Sequence, residues 1–140
     1  MTTPANHATF LQRLLALTYD GLIIFFVIVV VQALLIFLLM SGLKMEMPTG
    51  SPLHLALKSL WFIISFFYFG YYWTKSGQTP GMKVWKIKVQ TANGELISWL
   101  QSLLRYLFAF LGLGLFVLFF NKKRLALQDI VSKTHLISLK

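Results

Sequence analysis

Hydrophobic residues form three long stretches along the chain, and polar residues gather between them. The first stretch spans residues 9–40 and is almost uninterrupted from Gly21 to Met40, where Gln32 is the one polar residue. The second spans 53–73 and the third 99–120. About 20 consecutive apolar residues suffice for a helix to cross a bilayer. The pattern therefore predicts three transmembrane helices, preceded by a flexible N-terminus at residues 1–8.

The segment between the second and third stretches has a different pattern. Trp85, Ile87 and Val89 alternate with Lys86 and Lys88, which is typical of a strand. The following Asn93-Gly94 pair is a strong hairpin turn signal. We therefore predict a small β-hairpin over 83–98. The expected fold class is an all-α membrane protein with three apolar transmembrane segments, this hairpin and a basic tail over 121–140, all in one domain.

Composition strengthens the membrane interpretation. Hydrophobic residues make up 57% of the 140 residues and charged residues only 12%, and the mean hydropathy is +0.72. Soluble domains carry about 25% charged residues. The net charge of +9 comes from basic residues that flank the apolar stretches, which favours anionic lipid headgroups over nucleic acid as partners. The residues expected to contact headgroups are Lys83, Lys86, Lys88, Lys122, Lys123 and Arg124.

The distribution of basic residues predicts an orientation, because cytoplasmic loops collect Lys and Arg. The 74–98 segment carries four lysines, whereas the 41–52 segment carries one, Lys44. We therefore predict a cytoplasmic N-terminus. The tail is also basic, yet a third helix that crosses the bilayer would carry it outside. Either the third segment is re-entrant and breaks at Gly112–Gly114, or the tail crosses despite its charge; the first alternative is slightly favoured.

Ionisable residues inside apolar segments are the strongest functional candidates. Asp20 lies two helical turns after Arg13 on the same face. It is a candidate proton or cation site, or else half of a structural ion pair with Arg13 or Arg105. Asp129 has two candidate kinds of partner, a local one (Arg124 or Lys133) and a distant one, Arg13. Gln32 is expected to form a hydrogen bond between helices.

Other chemistry is weakly supported. The three histidines, His7, His54 and His135, are scattered and have no clustered acidic or cysteine companions. A metal site needs three or four convergent ligands. There is no cysteine, no phosphate-binding glycine loop and no recognisable arrangement of nucleophile and base. We therefore expect no enzyme activity, no metal site and no cofactor.

Four short motifs in order resemble the RDD family of small bacterial membrane proteins, which is named for one arginine and two aspartates. The first runs from Arg13 to Asp20, and the last surrounds Asp129. Between them stand a turn motif and Arg105, which lies in Leu103-Leu104-Arg105-Tyr106. The turn motif comprises Gly77, Thr79, Pro80 and Gly81. One departure is Gln128, because relatives often have a histidine before the last aspartate.

The resemblance implies a multi-pass protein of the bacterial inner membrane with three transmembrane segments. The family is largely uncharacterised, and transport, including sodium/proton exchange, has been suggested for some members. The expected function is thus transport of protons, sodium ions or small solutes, by a homo-oligomer because three helices rarely enclose a pathway alone. The alternative is a non-catalytic structural or accessory membrane subunit that binds a protein partner.

Overall fold

The computed structural model describes residues 7–44, 46, 48, 50–110 and 127–139. Its first helix, α1 (Phe10–Phe37), begins where the sequence predicts. The Thr9 side chain accepts a hydrogen bond from the backbone N–H of Gln12, and the Gln12 side chain accepts one from the N–H of Thr9. This reciprocal capping satisfies two N–H groups that a helix start leaves open. The helix continues into a π-helical turn at Leu38–Gly42.

The second helix, α2 (Pro52–Lys75), is fixed at both ends by local sequence. Ser51 accepts a hydrogen bond from the backbone N–H of His54, and Pro52 occupies the first helical position, where a missing N–H costs nothing. The chain leaves the helix through Gly77, which has a φ of 71°. The helix therefore covers the second predicted segment, 53–73, with one residue more at its start and two more at its end.

Two helices are long and apolar enough to cross a membrane, Phe10–Gly42 and Pro52–Lys75. At 1.5 Å per residue even the shorter one is about 36 Å long, against about 30 Å for the hydrocarbon core of a bilayer. Their large apolar side chains are largely exposed; Phe26 is 64% and Phe37 70% accessible. An exposed apolar surface of this extent is typical of helices that face lipid rather than of a soluble core.

A small layer of structure covers one end of these two helices. It consists of α3 (Pro80–Val84), β1 (Ile87–Thr91), α5 (Leu127–Val131) and β2 (Thr134–Ser138). The strands are antiparallel, with Ile87 opposite Ser138 and Thr91 opposite Thr134. The N-terminal residues join the same layer, because the N–H of Ala8 donates to the carbonyl of Leu136 (3.0 Å). The N-terminus, β1 and the tail therefore all lie at one end of the helices.

The predicted hairpin over 83–98 is wrong in its second strand and its starting point. The Asn93-Gly94 turn exists, with a Gly94 φ of 84° and a Gly94 N–H bond to the carbonyl of Thr91 (3.0 Å). However, β1 pairs with β2, from the tail. Ser98 caps the next helix, so the chain turns away after the buried Ile97 before it can extend a ladder. Val84 belongs to α3, and Lys86, at a φ of 53°, turns the chain into β1.

The third apolar segment, predicted as a transmembrane helix over 99–120, is described from α4 (Trp99–Phe110) only. Gly112 and Gly114, the predicted break, lie outside the described residues, as do residues 121–126 of the predicted tail. A three-helix crossing is thus not confirmed; the described residues give a mostly helical fold with two candidate spans and a two-stranded sheet.

The hydrophobic core lies where the small layer meets the helix ends. Ile87 and Val89 are fully buried, and Leu136 packs beside them from β2. Trp73 from α2 and Ala16 from α1 complete the contact with the helices. The alternation within each strand explains this packing, because every second side chain points to the same face. The core therefore positions the start of α1 and the end of α2 around the polar residues described below.

Because the N-terminus, β1 and the tail all belong to the small layer, the fold predicts which introduced cysteines are labelled from the same side of the membrane. The chain has no cysteine, so single cysteines can be introduced at the exposed residues Glu46, Lys83 and Leu139. A membrane-impermeant maleimide should label Lys83→Cys and Leu139→Cys from the same side, and Glu46→Cys from the opposite side. Labelling of Leu139→Cys from the side of Glu46→Cys would contradict the sheet.

Candidate functional site

A buried carboxylate shared by two arginines is the most polar feature of the fold. Arg13 Nη1 lies 2.6 Å from Asp129 Oδ2, and Arg105 Nη1 lies 2.5 Å from Asp129 Oδ1. All three residues are almost fully buried, at 6%, 2% and 1% exposure for Arg13, Arg105 and Asp129. Charge-assisted hydrogen bonds of this kind are the strong ones in proteins. The cluster joins α1, α4 and α5.

Neighbouring groups hold both arginines in place. The Nε of Arg13 donates to the carbonyl of Ala8 (3.2 Å), which fixes the chain just before α1. Nη1 of Arg105 also donates to the hydroxyl of Thr134 (2.8 Å) at the start of β2. The guanidinium of Arg105 lies over the Trp73 ring, 5.3 Å from its centroid, a cation–π arrangement. The cluster thus connects α5, the start of β2 and the residues before α1 to the helix ends.

Asp20 forms a second, separate site further along α1. Its carboxylate accepts hydrogen bonds from the Tyr68 hydroxyl (3.1 Å), the Gly81 N–H (2.8 Å) and the Thr79 hydroxyl. The residue is 1% exposed. No basic side chain of the described residues forms an ion pair with it. Asp20 is therefore a buried acid surrounded by neutral donors.

The turn motif fits closely against Asp20. Thr79 caps α3 by accepting from the Met82 N–H (3.2 Å), and its hydroxyl reaches Asp20. Pro80 begins α3. A Cβ at Gly81 would overlap the carbonyl of Ala16 and come within 2.9 Å of the Asp20 carboxylate. Only glycine can stand there without displacing α1, which explains why the motif requires it.

The predicted partners of Asp20 are wrong, and the distant partner of Asp129 is confirmed. Arg13 and Arg105 bind Asp129 instead of Asp20. Among the described residues, Lys133 is exposed and forms no salt bridge with Asp129, and Arg124 lies outside them. Arg13 was one of several candidate partners of Asp129, whereas Arg105 was not anticipated as its partner. Spacing along the chain could not decide between the candidates, because Arg13 and Asp129 stand 116 positions apart.

The structure also describes Gln32, Tyr68 and three of the lysines expected at lipid headgroups. The Gln32 side chain donates to the carbonyl of Leu57 (2.7 Å), which confirms the expected bond between helices. Tyr68 was not anticipated as a partner of Asp20, since one tyrosine in an aromatic helix carries no distinctive pattern. Lys83 and Lys86 are exposed on the small layer, and Lys88 is half-buried. Their contact with lipid headgroups stays a prediction, and Lys122, Lys123 and Arg124 lie outside the described residues.

A cavity of about 500 Å³ opens between α1, α2 and α4. Arg13, Asp20 and Arg105 contribute its charged lining, and the rest is largely aliphatic and aromatic. Cavities of this size lined by apolar groups with a few polar ones are typical of small-molecule sites. Both polar sites of the protein therefore border one space.

Two histidines lie close together at the sheet, although they stand far apart in the sequence. The rings of His7 and His135 lie edge to face, with centroids 5.9 Å apart. The part of the chain that is described contains no group of three or more metal-ligating side chains. Burial lowers the pKa of His135 below its ordinary value of 6.5, and the neighbouring His7 lowers it further.

Removing the shared carboxylate should destabilise the fold strongly. Asp129→Asn removes the negative charge that both buried arginines bind, and breaking a buried pair costs about 3 to 5 kcal/mol. We expect the free energy of unfolding in detergent to fall by roughly 3 kcal/mol. The matched control is Glu95→Gln, an exposed acid, which should change it by less than about 0.5 kcal/mol. Equal effects of the two variants would contradict the cluster's role.

The depressed pKa of His135 predicts an acid-dependent loss of stability. The histidine binds a proton more readily in the unfolded chain than in the folded protein. The stability that depends on neutral His135 is therefore fully present above pH 6.5 and decreases as the pH drops below it. Thermal unfolding between pH 7.5 and 5 should show this decline in the wild type and a smaller decline in His135→Gln. Identical pH profiles for both proteins would show that His135 does not contribute.

Comparison with known proteins identifies the family. The sequence model of a protein family, described as the RDD family, matches residues 7–133. This range includes Arg13, Asp20, the turn motif and Asp129. No curated protein and no solved structure matches the chain. Two long apolar helices agree with the membrane character that the sequence predicted. The match covers well over half of the chain, and the protein therefore belongs to the RDD family.

Proposed function

We propose that this RDD-family protein is a small transport protein of the bacterial inner membrane that moves protons, sodium ions or a small solute. The observation that carries the proposal is Asp20. It is an acid buried within the first apolar helix, it borders the cavity, and it has no cationic partner among the described residues. An ionisable residue at such a position normally faces a pathway or a partner.

The surroundings of Asp20 suit reversible binding of a cation. A buried carboxylate is costly in an apolar environment, and binding a proton or a sodium ion neutralises its charge. The hydroxyls of Tyr68 and Thr79 can both donate and accept hydrogen bonds. They can therefore donate to the ionised carboxylate, and they can turn their oxygens toward a bound cation or accept from the protonated acid. Neither arginine needs to leave Asp129 during this exchange.

The remaining features support a pathway formed by several copies. The two long helices leave much apolar surface exposed, including Phe26 and Leu34, each 64% accessible. A homo-oligomer would cover part of this surface and enclose the cavity from more sides. The Arg13–Asp129–Arg105 cluster would hold each copy rigid while Asp20 exchanges its ion.

Flux through proteoliposomes tests the proposal. Wild-type protein should carry protons or sodium ions down an imposed gradient, and Asp20→Asn, which cannot ionise, should reduce flux to the level of empty liposomes. Glu95→Gln is the matched control, because it neutralises an exposed acid outside the helices, and it should keep wild-type flux. Flux that persists in folded Asp20→Asn would contradict the role of Asp20.

A second candidate is an accessory membrane subunit without transport activity. The observation that favours it is that every buried acid makes structural contacts, since Asp129 joins three helices and Asp20 attaches α3 to α1. In that case Asp20→Asn would lower the melting temperature and the yield of folded protein. No wild-type flux under proton and sodium gradients, together with this loss of folding, would favour the accessory role and a protein partner for the small layer.

A further inference from the structure

The cavity has one charged end and one apolar end. Arg13 and Arg105 line it near the small layer, and Ile24, Ile28 and Phe62 line it farther along the helices. From Arg13 to Ile28, α1 advances 15 residues, which is about 22 Å at 1.5 Å per residue. The space is therefore elongated and parallel to the helices, with its polar groups concentrated toward the small layer.

Arg105 has hydrogen-bonding capacity to spare at the charged end. A guanidinium carries five N–H donors. Those on Nη1 reach Asp129 and Thr134, whereas within the described part of the chain the buried Nε donates to no acceptor. The residue is only 2% exposed, so water does not readily replace a missing partner. Unsatisfied buried donors of a charged group are costly, which favours an additional acceptor at this point.

The positive charge at this end of the cavity also favours binding of an anion. In the ion pairs of the described residues, two guanidinium groups share one carboxylate, that of Asp129, and these pairs carry an excess of one positive charge. Asp20 lies seven residues farther along α1, about 10 Å away along the axis, and its own donors occupy it. A single negative charge beside Arg105 would balance the cluster.

We propose that the cavity binds one amphiphile with an anionic head group and an acyl chain. The carboxylate or phosphate of the head group accepts hydrogen bonds from Arg105, and the chain lies along Ile24, Ile28 and Phe62. A fatty acid and an anionic phospholipid share this chemistry. The site does not depend on transport, because it is defined by equilibrium binding to the protein without any gradient.

Native mass spectrometry of the full-length protein in an uncharged detergent tests the site. The probes are oleic acid, phosphatidylglycerol and the zwitterionic phosphatidylcholine. Ala109→Phe places a bulky ring in the cavity one turn from Arg105, on the same helix face. Ala33→Phe adds the same ring at an exposed position outside the cavity and is the matched control. Arg105→Gln removes the charge.

The expected result is one bound anionic amphiphile per chain, with affinity at least tenfold lower in Ala109→Phe and Arg105→Gln and unchanged in Ala33→Phe. Preference for oleic acid would identify a free fatty acid as the ligand, and preference for phosphatidylglycerol would identify a phospholipid. If Arg105→Gln does not fold, Ala109→Phe decides. Equal binding of phosphatidylcholine, binding unaffected by Ala109→Phe, or no binding at all would overturn the proposal.

Discussion

The carboxylate of Asp129, held between Arg13 and Arg105, is the interaction on which the arrangement of the chain depends. It brings together the start of α1, α4 and the tail. Helices in a bilayer gain little from hydrophobic association, because lipid chains are as apolar as their own side chains. Specific polar contacts and close packing must therefore position the elements, and this cluster supplies such a contact through two salt bridges.

Asp20, the other buried acid, makes a different kind of contact. Its partners are hydroxyl and backbone N–H groups from α2 and α3, so it attaches the turn motif to α1 without any opposite charge. The close approach at Gly81 and the cap at Thr79 follow from this attachment. One acid is thus neutralised by arginines, and the other is left to neutral donors beside the cavity. This difference is the physical basis on which we propose ion exchange at Asp20 and a stabilising role for Asp129.

Local features of the fold could be predicted from the sequence, whereas long-range pairings could not. The starts of α1 and α2 follow from Thr9, Ser51 and Pro52, because helix capping depends on contacts within a few residues. The alternation around Ile87 and Val89 identified a strand but not its partner, since Thr134–Ser138 alternates in the same way as any short extended segment. Likewise, the candidate site residues were identified individually, but several carboxylate–arginine pairings were compatible with their spacing.

A double-mutant cycle between Arg13 and Asp129 tests the central claim most directly. The free energies of unfolding of Arg13→Gln, Asp129→Asn and the double variant would be measured in the same detergent. Residues in one buried ion-pair network couple by about 0.5 to 3 kcal/mol, and we predict a coupling near the upper end of this range, with the double variant little worse than either single one. Additive effects would show that the two residues act independently and would contradict the account of the cluster.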